Sequence, residues 1–406
     1  MDLKHLNKEV MSQKLVDIVT EKVKKYHDNT VAHYKHLHKH PELSFEEENT
    51  SLYVEKQLQE WGVEYRNKIG GFGILACIKG SKPSSKTIAL RADMDALPIT
   101  EENNIEFKSK NEGVMHACGH DTHTASLLGA VKIINEMKDQ FAGTILFIFQ
   151  PGEEKHPGGA SLMLKDGIFD TYKPDIIIGQ HAYIDYPVGT VGFEPGTVMA
   201  SADEVHIQIT GNGGHGAIPQ DLNDTVLAAS QLVVAMQQIV SRRSNPFKPC
   251  VLSFGKFIAD GATNVIPNTV TLAGSLRCMD EDERSKLKPI IKDIAIHTAK
   301  AYGCECNIEV YDGYPCTYND EEVTRMAKAF AIEYLGENKV KGLPKRMTAE
   351  DFGFFSQLYP TTFYRYGVIG NQRCTGLHTP TFLIDEEALK TSVGTIAYLA
   401  LKYCQL

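Results

Sequence analysis

The sequence predicts an α/β fold: a doubly wound, mixed or parallel sheet interrupted by a smaller inserted α+β domain of ferredoxin-like order. At 406 residues the chain exceeds the usual size of one hydrophobic core, so two domains are expected. Between residues 73 and 181, short apolar runs alternate with a helical pattern, as in β-α-β units, and three of them lead into residues able to hold a metal. Residues 204–310 then read strand, helix, strand, strand, helix, strand. The expected boundaries are 1–198 with 313–406 for the larger domain, and 199–312 for the insertion.

Residues 13–39 carry apolar positions at helical spacing (Leu15, Ile18, Val19, Val23, Tyr26), with His33, His36, His38 and His40 expected on a solvated face. Pro41 closes that helix, and Gly62 stops a second one over Thr50 to Trp61. Strands are expected at 73–78 and at 87–90, the second running into Arg91-Ala92-Asp93-Met94-Asp95. Asp93 and Asp95, at i and i+2, share one face of an extended segment. They read either as a solvated turn or as groups at a metal.

Met115-His116-Ala117-Cys118-Gly119-His120-Asp121-Thr122-His123 follows, just ahead of a helix expected over Thr122 to Met137. Thiolate and imidazole hold borderline-soft divalent ions. Alone, this stretch reads equally as a chance His-rich loop. Two further apolar runs tip the balance: 144–149 ends in Gln150-Pro151-Gly152-Glu153-Glu154, and 175–178 ends in Gly179-Gln180-His181. In doubly wound sheets, ligands collect beyond the carboxyl ends of the strands. In the insertion, an alternating strand at 204–209 leads to the loop Gly211-Asn212-Gly213-Gly214-His215-Gly216 and a helix over Asn223 to Val240. Strands at 251–257 and 269–276, a helix near Glu281 to Tyr302 and a strand at 306–310 complete it. Helices and a strand at 362–368 fill the remainder, with Leu377-His378-Thr379-Pro380 near its end.

Charge and composition exclude several classes. A formal net charge of -9 argues against a nucleic-acid or anionic-membrane partner. No apolar run of about 18 residues is present to span a bilayer. Charges scattered through MDLKHLNKEVMSQKLVDIV argue against a signal peptide. Nine cysteines at irregular spacing suit a reducing compartment better than a disulfide framework, so a cytoplasmic protein is expected.

In order, HPELSFEE, RADMDALP, MHACGHDTH, QPGEE, GQH, GNGGHGAIP, NVIPNTVTLAGSLR, MTAEDFGFF and LHTP resemble the motifs of one enzyme group. That group is the metal-dependent amidohydrolases, including hippurate hydrolases, N-acyl-amino-acid amidohydrolases, indole-acetyl-amino-acid hydrolases and N-acetyldiaminopimelate deacetylases. Aminoacylase-1 and carboxypeptidase G type enzymes are more distantly similar. The resemblance spans nearly the whole chain. It implies two divalent ions, Mn²⁺ or Zn²⁺, held by Cys118, His120, Glu154, His181 and His378, with Cys118 bridging. Asp93 is then a doubtful ligand and Asp95 an orienting group behind the ligands.

Amide hydrolysis needs a nucleophile, a charge sink and a proton for the leaving amine. Water between two cations becomes acidic enough to supply hydroxide, Glu153 would move its proton, and His215 would help hold the oxyanion. Asn264 and Arg277 match the positions that grip the substrate carboxylate in the family; by itself Arg277 is a strand-end surface charge. The implied substrate is a small N-acyl-amino acid, with pocket walls near Met199, Phe354 and the Ile369-Gly370-Asn371 turn selecting it. The implied assembly is a homodimer through the inserted dimerisation (lid) domain. A dipeptidase and a catalytically silent metal-binding relative are the alternatives.

Overall fold

The computed structural model describes residues 3–370 and 375–405, residues 3–11 by backbone alone. The chain divides into two compact units: Met1–Gly196 with Tyr318–Pro344 and Phe354–Leu406, and Thr197–Thr317 with Lys345–Gly353.

The first unit is built on an eight-stranded mixed sheet. Its strands lie in the order Glu64–Ile69, Gly73–Lys79, Ala142–Gln150, Lys82–Asp93, Ile176–Pro187, Thr361–Ile369, Val191–Phe193, Val340–Gly342. The central four, from Ala142–Gln150 to Thr361–Ile369, run parallel. Parallel strands are covered on both faces, which explains why Ile88 to Leu90 and Ile145 to Phe149 are unbroken apolar runs, all buried. Gly73–Lys79 on one side and Val191–Phe193 on the other pair antiparallel to this centre. The helices Leu3–Lys39, His120–Glu136 and Ala388–Tyr403 pack on one another and share one apolar cluster with the sheet. The last is buried nearly all round, in keeping with its largely apolar and small residues.

Two strands end level at one edge, because Asp93 stands opposite Gln150 in register. The acidic segments that follow them therefore start side by side. The third strand departs from expectation. Instead of ending near Ile178, it runs to Pro187. Its pairing with Lys82–Asp93 stops at Arg91 and Gly179, but pairing with Thr361–Ile369 continues through His181 opposite Arg365. A non-local neighbour extends a segment whose own Gly-Gln sequence reads as a strand end.

The second unit is a four-stranded antiparallel sheet in the order Cys250–Ile258, Thr269–Cys278, Ala202–Thr210, Glu305–Tyr314. Helices Thr225–Gln238 and Glu281–Ala301 share its apolar core. The order 2-3-1-4 along the chain is the ferredoxin-like arrangement. Lys345–Gly353 belongs to this unit: Arg346 N–H bonds Val198 O at 3.0 Å, and Ala200 N–H bonds Thr348 O at 3.1 Å.

Candidate metal centre

The centre begins at the start of the helix His120–Glu136. Gly119, its N-cap, has φ +90°, a conformation open chiefly to glycine. A Cβ there would also come 3.1 Å from Ala182 Cβ. The glycine thus lets Cys118 and His120 approach the strand that carries His181. His378 has the left-handed φ of +60°, and its N–H is held by Ala117 O at 2.7 Å. That bond holds a rarely adopted backbone conformation beside the cysteine.

Two ligand sets result, and they share one atom. Cys118 Sγ, His120 and His181 present donor atoms within 4.8 Å of one another, and so do Cys118 Sγ, Glu154 and His378. Cys118 Sγ lies 3.4 Å from both His181 Nε2 and His378 Nε2. Glu154 Oε1 is 3.2 Å from His378 Nε2, within ion-pair range. Glu153, also buried, places Oε2 4.0 Å from His120 Nε2.

Hydrogen bonds behind these groups decide which nitrogens face the centre. His120 Nδ1 lies 3.0 Å from Asp95 O and 3.1 Å from Asp95 Oδ1. A carbonyl only accepts, so Nδ1 donates, and in the neutral ring that ligates a metal Nε2 keeps the lone pair. That Nε2 is buried and has no hydrogen-bond partner among the described residues, and the same holds for Glu154 Oε1. Buried polar atoms without a hydrogen bond are costly and rare in native proteins. Here two of them converge with a thiol and two further imidazoles, a donor set that fits borderline divalent ions. His181 Nδ1 likewise donates to Ala182 O at 2.8 Å, turning Nε2 inward.

Asp95 ties the arrangement together. Besides His120, its carboxylate accepts from Ser44 Oγ at 2.7 Å and from Glu154 N–H at 2.9 Å. Asp93 differs. Its oxygens are taken by Arg91 Nη1 and His123 Nδ1, each at 2.6 Å. His123 is likewise used up, since its Nε2 accepts from Ala182 N–H at 2.9 Å. Both brace the centre from behind.

The electrostatics call for a cation. Burial works against charging His120, yet Asp93, Cys118 and Asp95 together raise its pKa well above the usual imidazole range. His378 is pushed up to about 10 by Cys118 and Glu154. Burial, then Glu154, pushes the Cys118 thiol up. His181 goes the other way: burial and Arg365 hold it neutral, ready to ligate.

The other expected residues lie in the second unit. His215, exposed, stands opposite Val265 in a short antiparallel ladder, and Gly216 N–H bonds Asn264 O at 2.9 Å, so His215 and Asn264 share one local structure. Arg277 is on the strand Thr269–Cys278, half-buried, opposite Val251. Asn371 of the expected pocket wall lies outside the described residues.

Several supporting groups escaped the sequence reading. His38, expected on a solvated face, is buried between Asp121 Oδ2 at 2.7 Å and Glu101 Oε1 at 3.1 Å. Against burial, those two carboxylates raise it to about 9. Its distant partners explain the miss, because helical periodicity does not reveal a carboxylate 83 residues away. Glu47, in HPELSFEE, accepts Gly152 N–H at 2.7 Å. Gly152 has φ +57°, and a Cβ on it would strike the Phe45 ring at 2.2 Å. Phe45 and Glu47 thereby set the backbone just ahead of Glu153 and Glu154. The motif could have flagged them.

Residues 89–402 match Peptidase family M20/M25/M40, and the chain belongs to that family. It is 38% identical to hippurate hydrolase of Campylobacter jejuni, covering 90% of this chain and 94% of that one. It is 41% identical to N-acyl-L-amino acid amidohydrolase of Geobacillus stearothermophilus, covering 72% and 79% respectively. Among solved structures it resembles a dinuclear metal-binding M20 peptidase of Bacillus subtilis: TM-score 0.81, 32% identity, 94% and 99% coverage. Among the described residues, no helix is long and apolar enough to cross a membrane.

Proposed function

We propose that this chain is a metal-dependent amidohydrolase that cleaves the amide bond of N-acyl-amino acids. The observation that carries this reading is the pair of ligand sets meeting at Cys118, with His120 Nε2 and Glu154 Oε1 buried and unbonded. Cys118, His120, Glu154, His181 and His378 would hold two divalent ions, Mn²⁺ or Zn²⁺. Such ions supply Lewis acidity, which makes water a nucleophile at neutral pH and stabilises a developing oxyanion. Glu153 takes the water's proton and returns it to the leaving amine. Asp95 keeps His120 in the tautomer that offers Nε2. His215 donates to the oxyanion, while Arg277 and Asn264 hold the substrate carboxylate, Arg277 by a charge-assisted fork.

The second unit is read as an inserted dimerisation domain of a cytoplasmic homodimer. Its exposed apolar side chains support this: Leu227 and Val234 on one helix, and Val251, Phe257 and Ile258 on the edge strand. The test is amine release from N-acetyl-methionine, hippurate and Gly-Leu, by chelator-stripped protein with and without added Mn²⁺ or Zn²⁺. Metal-restored cleavage of the acyl-amino acids supports the reading. Cleavage of Gly-Leu alone makes it a dipeptidase, and no cleavage despite bound metal makes it a silent relative.

A further inference from the structure

The second unit holds a pair of cysteines that the proposed chemistry does not use. Cys250 opens the edge strand Cys250–Ile258, Cys278 closes its neighbour Thr269–Cys278, and the two stand directly opposite in antiparallel register. Hydrogen bonds define the kind of pair. Cys278 N–H donates to Ser201 Oγ at 3.1 Å and its carbonyl accepts from Ser201 N–H at 2.8 Å, so both its backbone groups face away from Cys250. The next pair outward is bonded across the ladder, Met279 N–H to Pro249 O at 3.0 Å. Bonded and non-bonded pairs alternate along an antiparallel ladder, so Cys250 and Cys278 form a non-hydrogen-bonded pair. In such a pair the Cα atoms approach to about 4.5 Å and the side chains come closest. A disulfide takes Cα separations of about 4.4–6.8 Å.

Both thiols are free and belong to the apolar layer between sheet and helices. Cys316 is engaged elsewhere: its Sγ donates to Cys278 O at 3.0 Å, while Cys306 stands opposite Ile209. We propose that Cys250 and Cys278 are a reversible thiol-oxidation site, closed to a disulfide by hydroperoxides. Cys250 is the attacking sulfur, being 7% exposed where Cys278 is 0%. Cys278 beside it, opposed by burial and helped by Ser244, lowers the Cys250 thiol to about 6, and Cys250 in turn pushes Cys278 up. The Cys250 thiolate attacks one peroxide oxygen, the O–O bond breaks, and the far oxygen leaves as water or alcohol after taking a proton. Cys278 sulfur then displaces the sulfenic oxygen, which departs as water carrying the Cys278 proton. Two thiols lose two electrons, and the peroxide gains them.

The site lies beside a residue of functional interest, because Arg277 and Val251 are the next pair along the ladder. A covalent link would pin the strand end from which Arg277 projects. This second step rests on the proposed reading of Arg277 as the carboxylate grip.

The test uses the full, metal-loaded chain. Reduced protein is treated with hydrogen peroxide or an alkyl hydroperoxide, alkylated, digested without reductant and mapped by mass spectrometry. The expected result is loss of two of the nine thiols, with a linked Cys250–Cys278 peptide that dithiothreitol abolishes. Oxidation of other thiols with Cys250 and Cys278 still alkylated would overturn the proposal, and so would a Cys278–Cys316 link in its place. Mapping needs neither a variant nor activity, so it stands apart from the proposed function. In a second arm, kcat/KM for an acyl-amino acid relative to its amide should fall on oxidation of wild type but not of Cys250→Ala. That variant also controls for oxidation at Cys118. A mapped disulfide with an unchanged ratio would remove the link to Arg277.

Discussion

Replacing Asp95 by Ala tests whether the centre depends on its supporting shell. The side chain touches no expected substrate, yet it receives His120 Nδ1, Ser44 Oγ and Glu154 N–H at 3.1, 2.7 and 2.9 Å. Asp95→Ala leaves His120 with its bond to the Asp95 carbonyl, so the ring is loosened rather than freed. It leaves the Ser44 hydroxyl and the Glu154 N–H without partners, each at about 1–3 kcal/mol. Because the Glu154 backbone and the His120 ring then wander, metal affinity should fall about 10- to 100-fold, the usual effect of losing a group behind a ligand. That corresponds to about 1.4–2.8 kcal/mol. The assay is competition with a chromophoric chelator for Zn²⁺ or Mn²⁺, run beside Ser44→Ala. The serine change removes one bond to the carboxylate without touching a ligand and should bind metal nearly as wild type does. Wild-type affinity in Asp95→Ala, or equal weakening in both variants, would refute the orienting role.

Glu153→Gln should keep its metal and lose turnover by roughly two to four orders of magnitude, whereas Glu154→Gln should lose metal; elemental analysis decides, and equal occupancy contradicts the division. Mixing Glu153→Ala with His215→Ala, each inactive alone, should restore about a quarter of wild-type activity after random exchange if His215 serves the partner's site. No recovery after demonstrated exchange would leave His215 acting within its own chain or outside the mechanism. His38 offers a pH test. Its folded pKa, raised to about 9, lies above the ordinary value near 6.5, so its contribution is full below about pH 6.5 and is lost as pH rises through 9. Urea unfolding of metal-stripped wild type should weaken across that window by on the order of 3 kcal/mol relative to His38→Gln, and parallel pH curves would count against the buried cluster.

Some of the expected ligand residues stand next to a strong local signal, whereas His378 was named only through the motif LHTP. Cys118 and His120 stand at the start of a helix, and Glu153 and Glu154 follow an apolar strand. Such patterns report the local backbone, and a doubly wound sheet then brings strand ends together whatever the details. The ferredoxin-like unit was legible for the same reason, since its strands and helices alternate with clear periods.

What the sequence could not determine was which polar groups answer one another across the fold. Asp93 and Asp95 look alike two residues apart, yet one is consumed by Arg91 and His123 and the other orients His120 and Glu154. His38 resembles His33, His36 and His40 in the sequence until Glu101 and Asp121 enclose it. The strand through His181 ran on because Thr361–Ile369, far along the chain, lay beside it. Local periodicity is set by short-range sterics and burial, and the chain alone records it. Hydrogen-bond partnership depends on distances between residues far apart in sequence, which only the packed tertiary structure sets.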